Sequence, residues 1–166
     1  MSPAKNLIRL LLVDDHEVVR VGLRAVLHNN QGIAVVGEAA SKAAAVRAVK
    51  RLKPDIVLMD VRLPDGSGVE ASREILARHP TTRFIFLTSY ANDDSGLAAV
   101  RAGAHGYVIK DIDSALLIRS ILGVSMANRF SIRSLPGGRG VEVLGPLKPA
   151  RRGNNLLLLR KSASWH

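Results

Sequence analysis

The sequence predicts an α/β domain, a doubly wound sheet of five parallel strands, followed by a mostly irregular tail. Three observations carry that prediction. Five short apolar runs recur between Leu7 and Ile109, each too short for a helix. Segments with helical spacing of apolar residues separate them. Four of the runs stop at a polar residue, Asp14, Asp60, Thr88 and Lys110. Strands that alternate with helices form a parallel sheet covered on both faces, and such strands read as nearly continuous apolar runs.

The first strand spans Leu7 to Val13 and is ended by Asp14-Asp15. His16 to His28 follows as an amphipathic helix, with Val19, Leu23, Val26 and Leu27 on one stripe. Ile33 to Val36 is the second strand, closed by Gly37. Ser41 is suited to cap a helix over Lys42–Leu52. Asp55-Ile-Val-Leu-Met-Asp60 is the third and central strand, and Pro64-Asp65-Gly66 just beyond it is a turn signal. A helix from about Gly68 to Arg78 is stopped by Pro80. Arg83 to Leu87 is the fourth strand, ending at Thr88. Asn92 to Ala102 reads as a short helix ended by Gly103, and Gly106 to Ile109 as the fifth strand, ending at Lys110. Asp113 can cap a last helix from Ser114 to about Leu122, ended by Gly123. Right-handed crossovers leave few topologies for five such units, and the flavodoxin-like order 2-1-3-4-5 is the leading one.

Composition bounds the rest. With 166 residues and 47% apolar content the chain can bury a real core. It has no cysteine, so neither disulfides nor a thiolate metal site can form. The apolar run near the N-terminus is too short for a signal peptide or a membrane span, which points to a cytoplasmic setting. The formal charge is +10, divided as +3 over residues 1–123 and +7 over residues 124–166. The basic excess thus belongs to the tail, which is interrupted by five Gly and three Pro and has one apolar run, Leu156–Leu159. That composition predicts a largely disordered segment. The domain is expected over 6–123 and the tail over 124–166.

In a parallel sheet the carboxyl ends of the strands share one rim, where ligands and chemistry collect. Asp14, Asp15, Asp60, Thr88 and Lys110 are therefore expected together. Three carboxylates there repel one another by on the order of 4 kcal/mol per pair at about 4 Å and an effective dielectric near 20. One lysine cannot offset that, and a hard divalent cation with oxygen ligands, best Mg²⁺, is the natural complement. Asp60 can then attack phosphorus as a carboxylate nucleophile to give an aspartyl phosphate. Lys110 and the cation would stabilise charge on the phosphoryl group, and the Thr88 hydroxyl would donate to one of its oxygens.

Each residue also has a plainer reading. Asp14-Asp15 alone could cap a helix, Thr88 could simply end a strand, and Tyr107 could be a half-buried strand aromatic. His16 and His105 read more readily as surface or packing residues than as ligands or bases. Pro64-Asp65-Gly66 is a turn in any case. The conjunction carries the inference.

At these residues the chain resembles the receiver domain of two-component response regulators. The matching pieces are Val13-Asp14-Asp15-His16, Leu58-Met59-Asp60, Leu63-Pro64-Asp65-Gly66-Ser67-Gly68, Leu87-Thr88-Ser89 and Tyr107-Val108-Ile109-Lys110. The resemblance covers about residues 6–123. It implies that Asp60 accepts a phosphoryl group from a sensor histidine kinase, and that Asp14, Asp15 and Asp60 bind Mg²⁺ with the Arg62 backbone carbonyl. It also implies that Thr88 and Tyr107 form a switch pair, which repacks the surface of the fourth and fifth helices and the fifth strand, and that a homodimer can form on phosphorylation. Arg62 and Tyr90, two residues past Asp60 and Thr88, are expected to set access for the hydrolytic water.

The stretch from His16 to Arg24 looks like the branch whose output is a LuxR-type helix-turn-helix domain. Asp111 follows Lys110 where many receivers have proline, a variation that this branch shows. The tail offers no amphipathic helix pair for such an output, so specific DNA binding is not expected from it. Either the chain is a stand-alone receiver, or the tail comes from a truncated or frame-shifted reading frame, and its altered composition favours the second. A DNA-binding transcriptional regulator is the alternative reading, with the +7 tail supplying non-specific phosphate contacts. A Mg²⁺-dependent phosphotransferase or phosphatase is disfavoured, since Arg62 stands where a general acid would be needed. On the main reading the chain is not an enzyme, beyond catalysing its own phosphorylation and dephosphorylation.

Overall fold

The computed structural model describes residues 7–88, 105–109, 113–126, 131–134 and 141–144, with backbone alone for Tyr107, Ile109 and the last two segments. Strand β1 (Ile8–Val13) leads through α1 (Glu17–His28) to β2 (Ile33–Ala39), and α2 (Lys42–Leu52) leads to β3 (Ile56–Asp60). Helix α3 (Gly68–Arg78) then connects to β4 (Arg83–Thr88); β5 (Gly106–Ile109) and α4 (Ser114–Met126) follow. The helix expected over 92–102 lies outside the described residues.

The five strands pair in parallel in the order β2-β1-β3-β4-β5, as the alternation of elements predicts. Successive side chains of a strand alternate between faces, so one sheet feeds two cores. Leu11, Val13, Val57, Met59, Phe84 and Phe86 pack with residues of α2 and α3. Leu10, Leu12, Ile56, Leu58, Ile85 and Leu87 pack with residues of α1 and α4. Every residue of β3 is buried, consistent with its central place. A large apolar side chain buried in this way contributes about 1.5–3 kcal/mol. The α2 prediction holds to the residue, with the Ser41 hydroxyl accepting from the Ala44 N–H at 3.1 Å.

Two local expectations are corrected. The second strand does not close at Gly37. It continues to Ala39 through a bulge, with Leu10 opposite Val35 and Leu11 opposite Gly37. A Cβ at Gly37 would come within 2.6 Å of Leu52 Cδ1, so the glycine makes room for α2 instead of ending the strand. The last helix does not stop at Gly123 but runs to Met126. Val124 is fully buried there, and the Arg83 guanidinium donates to the carbonyls of Val124 and Ser125, to the latter at 2.8 Å. Those donors meet last-turn carbonyls that have no intrahelical partner. Within the tail, Ser131–Ser134 pairs antiparallel with Val141–Leu144. The β-branched Ile132, Val141 and Val143 favour extended backbone.

Candidate functional site

Sheet register brings the acidic residues to one corner. Val13 lies opposite Met59, so Asp14 and Asp60 leave neighbouring strands at the same level. Asp60 is in turn paired with Leu87, one residue before Thr88. Asp14 and Asp60 are 1% and 6% exposed and Thr88 is 3% exposed, so three polar side chains are buried at the carboxyl rim. Asp15, next in the chain, is more open.

One ligating atom from each of Asp14, Asp15, His16 and Asp60 falls within 4.8 Å of the others. Within this group the His16 ring lies with Nδ1 3.1 Å from Asp14 Oδ1 and 3.0 Å from Asp15 Oδ1. The His16 backbone N–H also donates to Asp14 Oδ1 at 2.9 Å. The Arg62 backbone N–H donates to Asp60 Oδ1 at 3.2 Å, which orients that carboxylate. Oxygen donors of this kind suit a hard divalent cation.

Thr88 ends β4 opposite Ile109, and Tyr107 pairs with Phe86 along the backbone of β5. The Tyr107 side chain, Tyr90 and Lys110 lie outside what is described. Thus Asp14, Asp15 and Asp60 come together as expected, with Arg62 beside them and Thr88 on the adjoining strand end.

Several supporting residues were not legible in the sequence. His16 is a surface residue as expected, 66% exposed, and its ring also lies beside two of the acids; its position directly after Asp14-Asp15 was the available signal for that contact. Arg20, one turn into α1, donates from Nη1 to the Asp14 carbonyl at 2.5 Å and meets Glu38 Oε1 at 3.3 Å, tying that corner to β2. Arg24 also meets Glu38.

Gly68 opens α3 against the end of β3. A Cβ there would fall 2.1 Å from the Asp60 carbonyl oxygen, a distance no side chain tolerates. Asp65 lies in the small ladder that pairs Arg62–Leu63 with Gly66–Ser67, where Gly66 takes a positive φ of 151°. Its carboxylate reaches the start of α2, accepting from the Lys42 N–H at 2.7 Å and the Ala43 N–H at 3.0 Å. The Ala43 and Lys42 amides hold the Asp65 carboxyl below its ordinary range. The loop that follows Asp60 is thereby clamped to a neighbouring helix, an interaction across more than twenty residues that turn propensity cannot reveal. His105 serves packing as expected, its Nδ1 accepting from the Phe84 N–H at 3.1 Å.

Comparison with known proteins agrees with this geometry. Residues 10–122 match the family model described as the response regulator receiver domain. The chain is 48% identical over 118 residues to the DNA-binding transcriptional activator DevR/DosR of Mycobacterium tuberculosis, covering 71% of this chain and 54% of that protein. It is 37% identical over 124 residues to the response regulator GacA of Pseudomonas viridiflava, covering 75% of this chain and 58% of that protein. The chain therefore spans little more than half the length of these relatives. A LuxR-family two-component response regulator from Aurantimonas superposes with a TM-score of 0.71 at 38% identity, over 75% of this chain and 89% of that one. The receiver domain of a NarL response regulator from Mycobacterium tuberculosis gives a TM-score of 0.70 at 26% identity, over 74% of this chain and 99% of that one. Among the described residues no helix is long and apolar enough to cross a membrane. The acidic corner, the strand order and these likenesses lead to one conclusion: the chain belongs to the receiver-domain family of two-component response regulators.

Proposed function

We propose that this receiver accepts a phosphoryl group on Asp60 from a sensor histidine kinase in the cytoplasm, and that 6–123 is the unit that does so. The observation that carries the reading is the gathering of the Asp14, Asp15 and Asp60 ligand atoms within 4.8 Å at the carboxyl rim. That donor set fits Mg²⁺, which would be held by these three carboxylates and the Arg62 carbonyl. Bound there, Mg²⁺ supplies Lewis-acid neutralisation of phosphoryl oxygens.

The chain's own residues account for the remainder. An Asp60 oxygen bonds to phosphorus as the P–N bond to the kinase imidazole breaks, and that imidazole takes up a proton. The Arg62 N–H holds the Asp60 carboxylate in place. Lys110 and the Thr88 hydroxyl stabilise the added negative charge, roughly −1.5 to −2. Movement of Thr88 toward the phosphoryl group lets Tyr107 turn inward, which biases a two-state surface for partners, a second copy of this chain among them. Arg62 and Tyr90 set access for the water that returns Asp60 to its free state.

Incubation with acetyl phosphate and Mg²⁺, followed by intact-mass measurement, tests the reading. The wild type should gain one phosphoryl group and Asp60→Ala none; equal labelling of the two would overturn it. A second reading, DNA-binding regulation, is supported by the likeness to the DNA-binding transcriptional activator DevR/DosR of Mycobacterium tuberculosis. On our reading residues 124–166 do not themselves form a helix-turn-helix output, and any DNA affinity of the tail is non-specific. A gel shift across a salt series distinguishes the two, since non-specific binding fades steeply with salt and shows no preferred sequence.

A further inference from the structure

We propose that the hairpin of Ser131–Ser134 and Val141–Leu144 covers the open edge of the sheet at β5, which a second copy of this chain would otherwise pair with. β2 and β5 are the outer strands of the order β2-β1-β3-β4-β5, and an outer strand presents a row of backbone N–H and C=O groups to any extended segment. The two edges are guarded differently. β2 is bent by the bulge between Val35 and Gly37 and carries Glu38, which Arg20 and Arg24 meet. A bulge and a charge both hinder edge-to-edge pairing. β5 has neither: it reads Gly106-Tyr-Val-Ile109, without a charged residue or a proline, and pairs with β4 in unbroken register. A regular, uncharged edge of this kind invites a further strand unless something covers it.

The structure seats the hairpin there. Ser131–Ser134 stands alongside β5, and β4 already takes one side of that strand in the ladder, which leaves the outer side for the hairpin. Chain connectivity gives the same placement. The order β5, α4, Ser131–Ser134 repeats the strand–helix–strand unit that builds the rest of the sheet, and strands joined in this way lie side by side. Ser131 follows the end of α4 at Met126 by five residues, a reach of about 17 Å in extended chain and enough to return from the helix to the sheet. On the receiver reading β5 also carries Tyr107 of the switch pair and belongs to the surface offered to partners, so the hairpin and a second copy compete for one edge. That competition rests on the receiver reading; the seating of the hairpin does not.

The test uses the full chain, which has no cysteine of its own. A nitroxide attached at Ser134→Cys should broaden the amide signals of Gly106–Ile109 and spare those of Ile33–Ala39, which lie four strand spacings further on, about 19 Å. Adding Ile132→Pro removes a backbone donor from the strand and fixes its φ, and should restore the β5 signals. In sedimentation velocity the unlabelled Ile132→Pro chain should form dimers with a dissociation constant at least about tenfold below that of wild type. Three results would each overturn the proposal: β5 signals that stay sharp beside the nitroxide, β5 signals that remain broadened with Ile132→Pro, or a proline variant that sediments as wild type does. Labelling by acetyl phosphate with Mg²⁺ keeps the two readings apart. If wild type is labelled and the hairpin results are negative, only the cover is refuted; if wild type is not labelled while the β5 signals and the dimer behave as expected, the receiver reading falls and the cover stands.

Discussion

The two edges of the sheet use the same residue types to opposite ends. At the amino edge, charged and polar groups meet complementary partners. Asp55 accepts from the Arg9 N–H at 2.9 Å, the Arg9 guanidinium donates to the Lys53 carbonyl at 2.9 Å, and Arg83 closes the end of α4. At the carboxyl edge, carboxylates are brought toward one another, two of them buried, with a single imidazole between Asp14 and Asp15. The first arrangement satisfies backbone groups and stabilises the fold. The second places like charges together, which folding alone does not favour and which a bound cation would offset. Among the described residues, only the carboxyl edge gathers like charges.

Substitutions can break this contrast or sharpen it. The largest effect is expected at Gly68, where the end of β3 and the start of α3 touch. Gly68→Ala should lower stability by about 3 kcal/mol in urea unfolding and slow acetyl phosphate labelling, because the new methyl group must push the Asp60 backbone aside. Unchanged labelling would mean that α3 shifts and the strand end does not.

At the amino edge, Arg83→Ala should cost about 1–3 kcal/mol through the carbonyls left at the end of α4, with the labelling rate preserved in the folded fraction. A matching loss of labelling would show that the edges are not separable. Asp14→Asn should act in the opposite sense. The amide keeps an acceptor for the His16 N–H but removes a charge from the cluster, so the ion-free protein should gain on the order of 1 kcal/mol while Mg²⁺ binding collapses. Destabilisation of the ion-free protein would refute the claim that the corner is electrostatically strained.

The smallest effect belongs to Asp65. Its carboxyl is held below the ordinary range by the amides of α2, so the stability that it adds is fully present above its unfolded value, about 3.9, and is lost as pH falls through the lower folded value. The difference in melting temperature between wild type and Asp65→Asn should accordingly shrink on acidification below about pH 4 and stay level above it. A difference that grows toward acid would have the wrong sign for a carboxylate cap.

The fold was legible because its signals are local. Apolar runs such as Leu10–Val13 and Ile56–Met59, the cap at Ser41 and the turn at Pro64–Gly66 each declare themselves within a few residues, and the alternation of strand and helix then leaves few sheet orders. The gathering of Asp14, Asp15 and Asp60 was legible too, since residues that end neighbouring parallel strands must share a rim. Glycine misled at two places. Gly37 and Gly123 look like terminators, but one makes room for Leu52 inside a strand and the other lies within a helix whose far end Arg83 satisfies. A glycine's local preference is weak, of order 1 kcal/mol, and a buried Val124 or a guanidinium on exposed carbonyls outweighs it.

What the sequence alone determined was therefore the alternation of elements, the strand order and the acids delivered to one edge, all consequences of periodicity and of chain connectivity. Tertiary structure alone decided that the His16 ring lies between two carboxylates, that Asp65 caps a helix begun more than twenty residues earlier, and that Gly68 must lack a side chain. The Asp65 and Gly68 contacts join segments that packing brings together, the His16 contacts depend on how its ring turns, and no pattern along a single strand or helix encodes either.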